Sequence, residues 1–196
     1  MVTKSLEAST TRWNLLEHPF YQAWNAGTLP QDDLKTYAQE YGVFIKAISE
    51  GWRTLGDEEH ADEELEHAEL WRKFARTLDT DVTGENEVPS MAHLVSRSQA
   101  LFGEKSTAIG ALFAFEAQQP RTSATKLVGL RQHFDLGPDA EEYFTTHADD
   151  YHEAEDLQEA WAALDENGKA RASAACEEMC RCLWDALSGV YSGDPC

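Results

Sequence analysis

Two short patterns in this sequence place a carboxylate three residues before a histidine: Glu64-Leu65-Glu66-His67 and Asp149-Asp150-Tyr151-His152. Positions i and i+3 share a helix face, so an acid and an imidazole at that spacing can reach one ion. Helical bundles build metal centres this way, pairing such helices with a glutamate from others. His67 shares a face with Trp71, Phe74 and Leu78, which turns it inward and favours a ligand role. For Glu64, in a strongly acidic segment, a solvated face and a ligand role are equally open. Glu116 is the most informative single residue, because it closes the apolar run Ala111-Leu112-Phe113-Ala114-Phe115. A carboxylate there is costly to bury unless it is paired or bound to a cation, which puts a ligand ahead of a water-facing acid. His147 follows Tyr143-Phe144-Thr145-Thr146. On one continuous helix, positions 147 and 149 point to nearly opposite sides, so His147 and Asp149 could not both bind one centre, whereas Asp149 and His152 could. On that geometry His147 reads as a hydrogen-bonded bundle histidine. His18, His60, His93 and His133 have no comparable partner pattern, although His60 stands two turns before His67.

Other chemistries find less support. There is no glycine-rich phosphate loop, no G-x-S-x-G element, and no cysteine flanked by a plausible base. Cys176, Cys180, Cys182 and Cys196 lack the paired C-x-x-C spacing of a zinc site and are expected as free thiols, Cys196 in a mobile tail. The chain carries 36 Asp+Glu against 16 Lys+Arg, a formal net charge of -20. So acidic a surface argues against a nucleic-acid partner and against an anionic membrane surface. No run of 18 apolar residues or apolar signal core is present, so the expected setting is soluble and cytoplasmic.

The elements that must position these residues read as helices. Leu34, Tyr37, Ala38, Tyr41, Phe44, Ile45 and Ile48 recur at three- and four-residue spacing within Pro30–Leu55. Gly56-Asp57 reads as a stop followed by an N-cap, and Glu58–Leu78 repeats the pattern. A short helix from His18 to Trp24 precedes these. Met91–Phe102, Thr107–Gln118, Pro120–Phe134, Asp139–Leu164 and Lys169–Leu187 follow. No segment alternates with period two between turns. The expected fold is an all-α bundle of about seven helices, one domain over 1–196 with mobile tails at 1–10 and 189–196.

The runs Leu16-Glu17-His18-Pro19-Phe20-Tyr21-Gln22-Ala23-Trp24, Gly27-Thr28-Leu29 and Leu34-Lys35-Thr36-Tyr37-Ala38 resemble the haem-oxygenase-like superfamily. That group includes the TenA thiaminases, PqqC and the di-iron oxidases. The resemblance is closest to its CADD-like members and extends through Phe115–Arg121, Tyr143–His152 and Leu183-Trp184-Asp185, covering roughly Trp13 to Tyr191. It implies a bundle around two metal ions, usually iron with manganese as an option, using O2 and a reductant. By position the ligands would be His67, Glu116, His147, Asp149 and His152, with one acid ahead of His67. Glu64 is taken for that acid on an uninterrupted helix, with Glu63 and Glu58 as alternatives. CADD-like members are thought to make p-aminobenzoate from their own side chains. The matching positions are Tyr21 and Tyr37 for the ring and Lys126 for nitrogen. Read as residues alone, the two tyrosines suit aromatic core packing and Lys126 a solvated surface.

This chain departs from the CADD-like pattern His-x-x-x-Asp-x-x-His, which it matches only with two residues deleted after His147. Without that gap, Tyr151 and Ala154 fall on ligand positions and one metal is lost. The TenA cysteine has no counterpart near Glu116, which counts against thiamine chemistry. Two alternatives accompany the self-sacrificing oxidase: a di-iron oxidase acting on an external small molecule, and a non-catalytic binding protein with a degenerate metal site. The expected partners are a small molecule or the chain's own side chains, with a homodimer possible.

Overall fold

Residues 6–193 are described by a computed structural model. The chain forms α1 (Leu6–Arg12), α2 (Pro19–Ala26), α3 (Gln31–Leu55), α4 (Glu58–Thr77), α5 (Pro89–Phe102), α6 (Lys105–Glu116), α7 (Gln119–His133), α8 (Glu142–His147), α9 (His152–Ala162) and α10 (Glu166–Val190). Short 3-10 turns at Leu15–Glu17 and Pro138–Ala140 precede α2 and α8. Among the described residues there is no strand. The all-α bundle expected from periodicity is the observed architecture.

Local chemistry sets the boundaries. The His18 side chain accepts from the Phe20 amide and Pro19 opens α2, where its missing N–H costs nothing. Gly56, at φ 84°, ends α3 in the left-handed conformation that a side chain would strain, and the Asp57 carboxylate then caps α4 at His60. α6 is buried along its whole length from Ala108 to Glu116, and packs against α10, α3, α9 and α5. A helix apolar all round must be enclosed in this way. α3 and α4 lie side by side, so the inward faces of α2, α3, α4, α6, α7, α8 and α9 meet in one hydrophobic cluster.

One expectation is corrected. The helix expected over Asp139–Leu164 is broken: after α8 the chain leaves helical geometry at Ala148, passes through Asp149 at φ 65°, and restarts at His152. The described residues of the two segments expected as tails make contacts with the bundle. Leu6 and Ser9 of α1 are buried, and Glu177 on α10 accepts from Ser9, Arg12 and Trp13. At the other end α10 continues to Val190, and Asp33 accepts both the amide and the hydroxyl of Ser192. Cys176, Cys180 and Cys182 are buried free thiols, as expected, while Cys196 lies outside the described residues.

Candidate metal centre

α4 presents Glu64 and His67 to the interior one turn apart, with His67 Nδ1 3.4 Å from Glu64 Oε1. α8 brings His147 against them, its Nε2 3.2 Å from His67 Nδ1. The His147 Nδ1 sits 2.6 Å from the Tyr143 carbonyl, which can only accept. Nδ1 therefore carries the proton and Nε2 offers its lone pair inward, the arrangement that orients a ligand imidazole. Burial, with His67 and then Lys126 adding to it, lowers the His147 pKa to about 3, so the ring stays neutral. Burial pulls the His67 pKa down as well, but the bond to Glu64 and its charge outweigh this and leave it raised.

Glu116, the last residue of α6, is 1% exposed, and neither carboxyl oxygen has a hydrogen-bond partner. Burial pushes its pKa well above the usual carboxylate range, and Glu153 and Glu64 push it further. Glu153, on the first turn of α9, is also buried. Burial and then the Glu64 charge raise its pKa to about 7. Ligand atoms of Glu64, His67 and Glu153 lie within 4.8 Å of one another, and Asp150, His152 and Glu153 form a second such group. Glu153 belongs to both. Among the described residues, no lysine or arginine forms an ion pair with Glu64, Glu116 or Glu153. Three buried, mutually repelling carboxylates, one with both oxygens orphaned, fit a multivalent cation. Mixed carboxylate and neutral imidazole donors suit iron or manganese.

The structure thus brings together Glu64, His67, Glu116 and His147. It places His152 at the rim, half-exposed, its Nδ1 bonded to Asp150, with ligand atoms also near His60 and Glu63. Asp149 is exposed in the left-handed break and joins none of these groups. Sequence reasoning missed Glu153. The available signal was Leu157, four residues on and fully buried, which marks the inward face of α9.

Next to the cluster lies a second buried group. The Tyr21 and Tyr37 hydroxyls are 3.2 Å apart, and Lys126 Nζ donates to the Tyr37 hydroxyl at 3.4 Å. Lys126 is 1% exposed, ringed by Tyr21, Tyr37, Trp71 and Phe144, all within 5.9 Å of Nζ. Burial lowers its pKa to about 7, which makes the free amine accessible near neutrality. It is not the solvated lysine that its residue type suggests. Burial pushes the Tyr21 pKa to about 12 and that of Tyr37 well above the ordinary phenol, keeping both protonated.

Known proteins share this chain's sequence pattern and fold. A family of iron-containing redox enzymes matches residues 32–185. A 4-aminobenzoate synthase of Nitrosomonas europaea is 30% identical, the match covering 91% of this chain and 86% of that protein. One from Chlamydia pneumoniae is 26% identical over 93% of this chain and 92% of its own. Among solved structures, a TenA homologue from Pseudomonas syringae superposes with a TM-score of 0.78 at 16% identity, covering 94% of this chain and 90% of that one. A CADD-like protein of unknown function from Nostoc punctiforme gives 0.61, also at 16% identity, with 94% of each chain covered. At that identity these structures speak for the fold. The profile match over most of the chain, with the 30% identical relative, carries the assignment: this chain belongs to the haem-oxygenase-like family of iron-containing redox enzymes.

Proposed function

We propose that this protein makes 4-aminobenzoate from its own side chains, taking the ring from Tyr21 or Tyr37 and the nitrogen from Lys126. The observation that carries this reading is the buried Tyr21–Tyr37–Lys126 chain, held at 3.2 and 3.4 Å beside the carboxylate–histidine cluster. Glu64, His67, Glu116, His147 and Glu153 would hold the iron, with Asp150 and His152 completing a second position through Glu153. Bound iron would supply the reduction of O2 that makes a phenol ring oxidisable, with an external reductant providing electrons.

The chain's own residues prepare that chemistry. Desolvation keeps a fraction of Lys126 as free amine, the form that can attack carbon or accept a proton. The hydrogen bond from Nζ fixes the amine against the Tyr37 oxygen, and that oxygen against Tyr21. Trp71, Phe74 and Phe144, all fully buried, exclude the water that would quench a reactive ring. The support from similar proteins is that two relatives over most of this chain are named for this product.

Iron-loaded protein given reductant and O2, with no added substrate, is expected to release up to one 4-aminobenzoate per chain. The spent protein should lose mass at Lys126 and at one of the two tyrosines. Lys126→Met, close in volume, should bind iron normally and yield at least about 100-fold less product, since among the described residues no other amine contacts the pair. Product from a Tyr21→Phe, Tyr37→Phe double variant at the unmodified level would overturn the reading.

A further inference from the structure

Three groups of side chains, each with ligand atoms within 4.8 Å of one another, lie in series from the surface to the core. His60, Glu63 and His152 form the outer group, Asp150, His152 and Glu153 the middle one, and Glu64, His67 and Glu153 the inner one. Burial deepens along the series, since Glu63 and His152 are exposed whereas Glu64 and Glu153 are buried. Consecutive groups share a residue, His152 between the first two and Glu153 between the last two. We propose that His60, Glu63 and His152 are a capture site for a divalent transition-metal cation, which passes inward by way of His152 and then Glu153. The inward passage rests on the reading of the middle and inner groups as an iron centre.

The outer group is held in place by its own supports. One oxygen of the Asp57 carboxylate accepts the His60 amide at 3.1 Å, and the other lies 2.9 Å from His60 Nδ1. A carboxylate can only accept, so Nδ1 carries the proton and Nε2 keeps its lone pair. The buried Trp52 ring stacks on the His60 ring at 4.6 Å and 17°, which fixes the plane of the imidazole. The His152 ring stands 5.5 Å from that of His60. Its Nδ1 is bonded to Asp150, which leaves Nε2 for an ion. Two imidazoles and one carboxylate suit first-row divalent cations and leave coordination positions to water, so an ion held there can exchange.

Charge sets the direction of travel. The outer group has one carboxylate and the middle and inner groups have two each. Buried Glu116, with both oxygens unpartnered, adds to the inner one. A divalent cation therefore meets more opposing charge at each step. His152 is the first residue of α9, directly after the break through Asp149, so no preceding helical turn pins its side chain. At each handover the shared residue stays bound, and the ion is never returned to water. Exposed acids on the same two helices, Glu59, Asp62 and Glu66 on α4 and Glu155 and Asp156 on α9, concentrate cations near the outer group.

The test is stopped-flow loading of metal-free protein without O2, first with Co2+, whose visible absorption reports coordination, and then with Fe2+. Final metal content, melting temperature and 4-aminobenzoate are measured on the same samples. Wild type should show a rapid change on capture and a slower one as the ion moves inward. With metal at or below the protein concentration, His60→Phe, which keeps a ring against Trp52, and Glu63→Gln should each lose the rapid phase and fill the inner groups at least about tenfold more slowly. Both should reach the wild-type final metal content. If His60→Phe fails to fold, Glu63→Gln, at an exposed position, carries the same test. An unchanged loading rate overturns the capture site. So does a lower final content, which would make His60 or Glu63 a ligand of the resident centre. Wild type that takes up no metal overturns both the capture site and the iron reading. Loading that slows as expected, in a protein that makes no 4-aminobenzoate, sinks the proposed function and leaves the entry route standing.

Discussion

Among the described residues, no lysine or arginine is paired with the buried Glu64, Glu116 and Glu153, and the carboxyl pKa values of Glu116 and Glu153 are raised by burial first and by neighbouring acids second. A bound cation reverses both effects, supplying the missing partner and the missing charge. Glu153 stands in both donor groups, so its loss should be felt by either ion. Glu153→Gln is expected to weaken iron binding by more than the roughly 10–100-fold that losing an outer-shell partner costs. Asp149→Asn, at an exposed position outside both donor groups, should leave iron binding unchanged. Anaerobic iron titration of the two variants decides between them; weakening by Asp149→Asn alone would restore the ligand set read by motif alignment. Why one acid was legible and the other was not has a physical reason. Glu116 announces itself by ending an apolar run, where an unpaired charge is conspicuous. Glu153 sits among Asp149, Asp150, Glu155 and Asp156, where acids look solvated, and Leu157 four residues on is its one inward-facing companion on α9.

At the scale of elements, the periodic helices α3 and α4 were legible because one apolar face of each recurs without interruption. α8 and α9 were not, since nothing in Ala148-Asp149-Asp150-Tyr151 carries the glycine or proline that usually marks a break. The break matters, because it voids the argument that residues 147 and 149 to 152 ride one helix. Close approach between helices was equally hidden. Gly110 lies where α6 meets α10, and a methyl group there would stand 1.8 Å from the Ala172 carbonyl oxygen. That obstacle is backbone, which cannot step aside without moving the helix. α6 carries Glu116, so a shift there also displaces the site. Gly110→Ala is expected to cost about 3 kcal/mol, the upper range for overpacking, and to lower Tm by roughly 6–12 °C. Thermal unfolding checks this, and an unchanged Tm would show that α6 and α10 separate freely.

For the whole molecule, the net charge of -20 divides into acids that face water, acids that clamp segments, and acids that await a cation. Asp33 holds Ser192, Glu40 accepts from Asn86, Glu87 and Val88, and Glu177 holds the first helix. These accept from backbone or side-chain donors and need no metal. At Glu116 and Glu153 the folded pKa values are raised, that of Glu153 to about 7. Between the ordinary carboxylate range and about pH 7 the folded, metal-free chain therefore binds more protons at these sites than the unfolded chain does, and their contribution to stability falls as pH rises. Iron reverses the sign, since it binds the deprotonated ligands and is favoured by the same rise in pH. Other titrating groups, such as His18 with its pKa lowered by burial to about 4, act in both forms and cancel in the difference. The gap in Tm between iron-loaded and chelated protein, measured without O2, should therefore widen from pH 5 to pH 7. With free iron at about a hundred times its dissociation constant, loading is worth about 2.7 kcal/mol, or roughly 5–11 °C. Calorimetry of both forms at the two pH values tests this. A gap that is equal or larger at pH 5 would mean that the iron ligands are not the buried acids of the core.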